Sequence, residues 1–182
     1  MRVIAGTARS LKLKTVEGLD TRPTTDRIKE TLFNILNFEL PGSIFIDLFS
    51  GSGGIGIEAL SRGAQKCYFV ENNQNALSCI QDNLSFTRLE KKAIVIKQDV
   101  LAALRCISED EVNTIFMDPP YNQDFEKKAL EILKDMTYVT KDTLIIVEAS
   151  LETDFSYVDA FGFLILKEKT YKTNKHVFLQ RR

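Results

Sequence analysis

The run Thr114-Ile-Phe-Met-Asp-Pro-Pro-Tyr121 joins an apolar segment to an acid, two prolines and an aromatic ring. The apolar part reads as a buried strand. Consecutive prolines fix φ near −65°, carry no N–H donor and push each preceding residue toward extended geometry, so the chain must leave the sheet stiffly. The carbonyls of Asp118 and Pro119 are then left without ladder partners, beside the Asp118 carboxylate and the Tyr121 ring. Such an acceptor-rich corner suits a flat group with hydrogen-bond donors, for example the exocyclic amine of a nucleobase. On these four residues alone, a strand followed by a rigid loop explains the pattern equally well.

A second stretch, Asp47-Leu-Phe-Ser-Gly51-Ser-Gly53-Gly54-Ile-Gly56, satisfies G-x-G-x-x-G, and Glu71 follows Gly51 by twenty residues. Glycines let the backbone turn sharply and approach a ligand, and an acid at the tip of the next strand can accept ribose hydroxyls. A P-loop is excluded, because Ile57-Glu58 follow Gly56 in place of Lys-Ser/Thr. A hydrolase elbow is excluded too: Ser50 stands two residues before Ser52 where Gly is required. NAD matches the glycine pattern, but Asp47 sets a negative charge where a pyrophosphate would approach. S-adenosylmethionine fits better, since it has a ribose and an adenine, no phosphate, and a cationic sulfonium and ammonium. Asp99, at the tip of a third strand, suits either the adenine side or the N-cap of the next helix.

The elements that must hold these residues alternate. Strands are expected at Ile44–Phe49, Cys67–Glu71, Ala93–Lys97, Thr114–Met117 and Leu144–Glu148. Helices are expected at 25–38, 54–62, 73–89, 100–107 and 124–136, with Thr24 or Thr25 capping the first of them. Strands alternating with helices give right-handed crossovers and a parallel sheet covered on both faces. Phe163–Lys169 and His176–Gln180 are joined by only six residues, which forces an antiparallel hairpin. Residues 2–15 alternate weakly and predict a short basic N-terminal β-hairpin.

At 182 residues, one domain with a small appendage is expected, divided here as 1–20 and 21–182. Cys67, Cys79 and Cys106 are too widely spaced for a metal site or a disulfide framework and read as reduced, buried thiols of a cytoplasmic protein. No run is long enough to span a membrane. His176, the only histidine, has no metal-spaced partner and reads as structural; no metal is expected. The net charge of −1 hides an asymmetry: residues 1–30 carry +3, residues 161–182 carry +5, and the middle carries −9. Basic ends can bind phosphate backbones locally, or can be ordinary solvated faces.

With these motifs together, the chain resembles the class I S-adenosylmethionine-dependent methyltransferases. More closely it resembles the bacterial RsmD-type guanine-N2 methyltransferases of small-subunit (16S) ribosomal RNA. The subfamily markers are Arg2-Val-Ile-Ala-Gly6 and Arg22-Pro-Thr-Thr-Asp-Arg27…Glu30-Thr-Leu-Phe-Asn34; the glycine loop and Asp118-Pro-Pro-Tyr121 are shared more widely. The resemblance implies an α/β, Rossmann-like, mostly parallel seven-stranded sheet with the last strand antiparallel. It implies Asp118, Pro119 and Tyr121 at the target amine, and Asp47, Gly51, Gly53, Glu71 and Asp99 around the cofactor. Thr24 or Thr25 would touch its methionine end, and Arg2, Arg9, Lys12 and Lys14 would face RNA. A cytoplasmic monomer acting on ribosomal RNA in the small subunit follows. An adenine-N6 methyltransferase, or a non-catalytic RNA-binding protein keeping a vestigial cofactor site, would carry much the same motifs.

Overall fold

A computed structural model describes residues 1–16, 26–37 and 39–182. Its elements are α1 (Asp26–Leu36), β1 (Ile44–Leu48), α2 (Gly54–Ser61), β2 (Lys66–Val70), α3 (Gln74–Thr87) and β3 (Ala93–Ile96). They continue as α4 (Val100–Ala103), β4 (Thr114–Met117), α5 (Phe125–Leu133), β5 (Leu144–Ser150), β6 (Phe163–Thr170) and β7 (Asn174–Arg181). Each expected strand and helix of the body has a counterpart, most of them shorter by a turn or a residue. A 3-10 segment at Ser156–Phe161, which no periodicity announced, leads into β6. Thr24 and Thr25 lie outside the described residues.

The seven strands form one sheet in the order β3-β2-β1-β4-β5-β7-β6. The first five pair in parallel, whereas β7 runs antiparallel to both β5 and β6. Chain order reverses at the β1–β4 boundary. At such a switch point the loops leaving adjacent strands diverge and open a crevice at their carboxyl ends.

The central strands are buried on both faces, as their near-continuous apolar runs require. One face carries Ile46, Leu48, Met117 and Val147 against α4 and α5; the other carries Phe45, Phe69, Phe116 and Ile146 against α1, α2 and α3. Polar side chains that share this second face must find partners or a ligand.

Residues 1–13 double back, but the alternation does not produce a two-stranded ladder. Arg2 and Lys12 form an isolated antiparallel bridge, supported by Val3 N–H to Leu11 O at 3.0 Å and Ser10 N–H to Val3 O at 2.9 Å. The reason is that α2 captures the segment. Buried Glu58 accepts Ile4 N–H at 2.8 Å and Ala5 N–H at 3.0 Å, and it also pairs with fully buried Lys29 and with Arg62. Lys29 in turn donates to the Arg2 carbonyl. Val3, Ala8 and Leu13 therefore pack into the same core as α1 and α2. Among the cysteines, Cys67 and Cys79 are buried as expected, but Cys106 is exposed, because α4 ends at Ala103 and the chain turns outward.

Candidate active site

β1 ends at Leu48, and Phe49 then adopts φ 60°, a conformation uncommon for a bulky residue and characteristic of constrained sites. The glycine loop follows. Gly51 has φ 53° with open space where a Cβ would point, so the backbone there is bare toward solvent. Gly56 answers a different need. A Cβ on it would lie 2.4 Å from the Phe69 ring, so only glycine lets α2 settle on β2.

Two carboxylates fix this loop. Asp47 accepts Gly56 N–H at 2.9 Å from within the core. Burial, and then repulsion from Glu71, push its pKa up to about 7 despite that hydrogen bond. Glu71 accepts Gly51 N–H at 2.9 Å with one oxygen, and Asn72 and Asn73 N–H at 2.9 and 2.8 Å with the other. The β1 loop and the β2 loop are thus clamped together through one side chain.

Between them lies a cleft of about 140 Å³, lined by Phe49, Val70, Glu71, Asn72, Asp99, Val100, Pro120 and Phe125. Phe49 and Phe125 meet edge to face at 5.6 Å, giving the cleft apolar walls. Glu71 and Asp99 supply its acceptors. Asp99 has both roles open to it in the sequence: it caps α4 by accepting Leu101 N–H at 2.9 Å, and it lines the cleft. The described lining residues include no lysine or arginine. That set suits a neutral nucleoside and opposes a pyrophosphate. Asp47 does not line the cleft; it stands behind the loop and acts by holding Gly56.

The Asp118 corner lies alongside. Leu48 pairs with Met117, Met117 with Val147, and Glu148 with His176, so Phe49, Asp118, Glu148 and His176 form the next row across the sheet. Asp118 is half-buried, and its pKa is driven well above the usual carboxylate range, first by burial and then by Glu148 and Asp47. Asp118 and Glu148 crowd two acids at the carboxyl ends of β4 and β5, a setting that favours a cation such as a sulfonium with its ammonium group. This crowding, with the phosphate-averse cleft beside it, is the structural test that S-adenosylmethionine passes. Pro119 is buried, while Tyr121 is 42% exposed, which leaves room for a stacked partner. Burial, then Glu148 and Asp118, push the Tyr121 phenol up to about 12, so it stays neutral.

The comparisons agree with this geometry. A family model described as conserved hypothetical protein 95, the RsmD family, matches residues 1–180. The chain belongs to that family. The RsmD relative of Haemophilus influenzae, ribosomal RNA small subunit methyltransferase D, is 35% identical over 172 residues, covering 93% of this chain and 88% of its own. The YlbH protein of Bacillus subtilis is 37% identical over 171 residues, covering 93% of this chain and 92% of its own. The solved structure of the Escherichia coli protein yhhF superposes with a TM-score of 0.86 at 30% identity, covering 100% of this chain and 98% of that one. The strand order and the antiparallel β7 are those of the class I, S-adenosylmethionine-dependent RsmD methyltransferases.

Of the residues singled out in sequence, Gly51, Gly53, Glu71, Asp99, Asp118, Pro119 and Tyr121 converge on one end of the sheet. Arg2, Arg9, Lys12 and Lys14 lie apart, on the N-terminal segment. Arg2 pairs with Asp26 at 3.0 Å and Lys14 with Asp82 at 2.7 Å, both exposed, whereas Arg9 and Lys12 have no ion pair among the described residues. Missed in sequence were Phe49, Val100 and Phe125, whose apolar character merely read as core. Glu148 was missed as well, although an acid at the end of an apolar strand beside Asp118 could have signalled it.

Proposed function

We propose that this RsmD-family chain methylates the exocyclic N2 amine of a guanine in small-subunit (16S) ribosomal RNA, as a cytoplasmic monomer, using S-adenosylmethionine. The observation that carries the reading is Asp118 beside the glycine loop at the switch point, with Glu148 crowding it from β5. The substrate class is supported by the relative named as a ribosomal RNA small subunit methyltransferase.

S-adenosylmethionine, when bound, supplies a methyl group on a cationic sulfur. The adenosine part belongs in the cleft, with Glu71 at the ribose, Asp99 at the adenine side and the bare backbone of Gly51 beneath; Gly53, packed against Ile57, Phe69 and Ile80, lets the loop turn there. Glu71 already accepts three N–H groups, so one lone pair remains for a hydroxyl. Asp47 shapes the loop from behind, and Thr24 or Thr25 completes the methionine end.

The guanine amine is a weak nucleophile because its lone pair is delocalised into the ring. Asp118 and the Pro119 carbonyl accept its two N–H bonds, which lets the nitrogen pyramidalise and turns its lone pair toward the cleft. Tyr121 stacks on the base, which has to be flipped from its neighbours to reach the corner. Asp118, raised in basicity by its surroundings, takes the surplus proton. Positioning and charge do most of the remaining work. The N-terminal residues Arg2, Arg9, Lys12 and Lys14 track the RNA backbone.

The test is to incubate the protein and labelled S-adenosylmethionine with undermethylated small subunits, free ribosomal RNA and DNA, then to map the labelled nucleoside. Label in N2-methylguanosine from the small subunit supports the proposal. Label in N6-methyladenine, or none, overturns it.

A further inference from the structure

Glu148 occupies the row between Asp118 and His176 and is 5% exposed. A buried carboxylate is costly unless its lone pairs are met. Here Asn174 Nδ2 donates to one oxygen, and His176 Nε2 meets the other at 3.1 Å. His176 is fully buried, and its Nδ1 lies 3.4 Å from the Tyr171 hydroxyl. The Phe116 and Phe178 rings flank it edge to face, at 6.0 and 6.5 Å. The carboxylate is therefore held rigidly from β7, on the face that carries Asp118.

Resting on the function proposed above, we propose that Glu148, held by Asn174 and His176, is a positioning residue that keeps Asp118 basic enough to accept the amine's proton. The ionisable groups facing Asp118 among the described residues are Asp47 on β1, Glu148 on β5 and Tyr121 in its own loop. His176 on β7 and Tyr171 in the β6–β7 hairpin stand behind Glu148. Asp47 is occupied by Gly56 N–H and Tyr121 is neutral, so Glu148 is the nearby group whose charge most opposes ionisation of Asp118.

This charge relation can be read without RNA or cofactor. The full chain is labelled with 13C at the aspartate side-chain carboxyls, the Asp118 signal is identified by its loss in Asp118→Asn, and its titration midpoint is followed. In Glu148→Gln, which keeps the size of the side chain, the midpoint falls by about one pH unit, tenfold in proton affinity. Should that variant fail to melt as a folded protein, Glu148→Asp repeats the test. Drawing the carboxylate back toward β5 gives a smaller fall in the same direction. A midpoint unchanged in a folded variant overturns the proposal. That result would leave the methyl-transfer reading standing, and a failed methylation assay would leave this titration readable.

Discussion

Leu48 and Met117 lie opposite each other in the parallel β1–β4 register, which sets Phe49 of the glycine loop beside Asp118. Two loops far apart in sequence thereby begin at the same point. Their joint placement makes testable demands on each side chain.

Glu71 is asked both to hold the loops together and to receive a ribose. Glu71→Ala should weaken S-adenosylmethionine binding tenfold or more by calorimetry, about 1.4 kcal/mol. It should also lower the melting temperature, because the part-buried Gly51 N–H loses its acceptor, at about 1 kcal/mol. Unchanged affinity with lowered stability would reduce Glu71 to a clamp.

The role proposed for Tyr121 rests on its ring. Tyr121→Phe should retain most methyl transfer, whereas Tyr121→Ala should lose about 1–3 kcal/mol of RNA-dependent transition-state stabilisation. Steady-state kinetics with a fixed RNA concentration separate the two; equal losses would assign the role to the hydroxyl.

Asp47 makes stability depend on pH. Its folded-state pKa is raised from 3.8 to about 7. Between those values the folded protein holds a proton that the unfolded chain has released, so this group's contribution falls as pH rises through the window. Denaturant midpoints measured from pH 4 to pH 7 should decline less in Asp47→Asn than in the wild type. Parallel curves would contradict the burial argument.

Glu58 anchors the N-terminal segment from inside the core. Glu58→Ala strands buried Lys29 without its carboxylate, and should cost about 3–5 kcal/mol in urea unfolding. A loss below about 1 kcal/mol would show that the segment is held by Val3, Ala8 and Leu13 alone.

The body of this fold was legible because its signals are local. Apolar runs announced β1 through β5, with Pro41-Gly42 before β1 and Pro119-Pro120 after β4 marking their ends, and the short Thr170–Lys175 connection announced an antiparallel β7. The Asp118 corner was legible for the same reason, since two prolines dictate geometry without tertiary help. Glu58 was not, because nothing in a helical Ile-Glu-Ala reveals that two backbone amides and two cations will converge on it. The expected hairpin became an isolated bridge for that reason. Glu148 closes an apolar run and so was open to notice, but its place beside Asp118 and opposite His176 comes from the assembled sheet. The sequence put Asp47 at the loop but did not reveal its hold on Gly56 N–H from within the core, because alternation gives a face and not the depth of a side chain.

The proposed methyl transfer depends most on Asp118 at the target amine. Single-turnover methyl transfer to undermethylated small subunits, with S-adenosylmethionine binding measured on the same preparation, tests it most directly. Asp118→Ala is predicted to lose about 10²–10⁴-fold in rate while binding the cofactor within a fewfold of the wild type. Transfer at the wild-type rate in that variant would contradict the account.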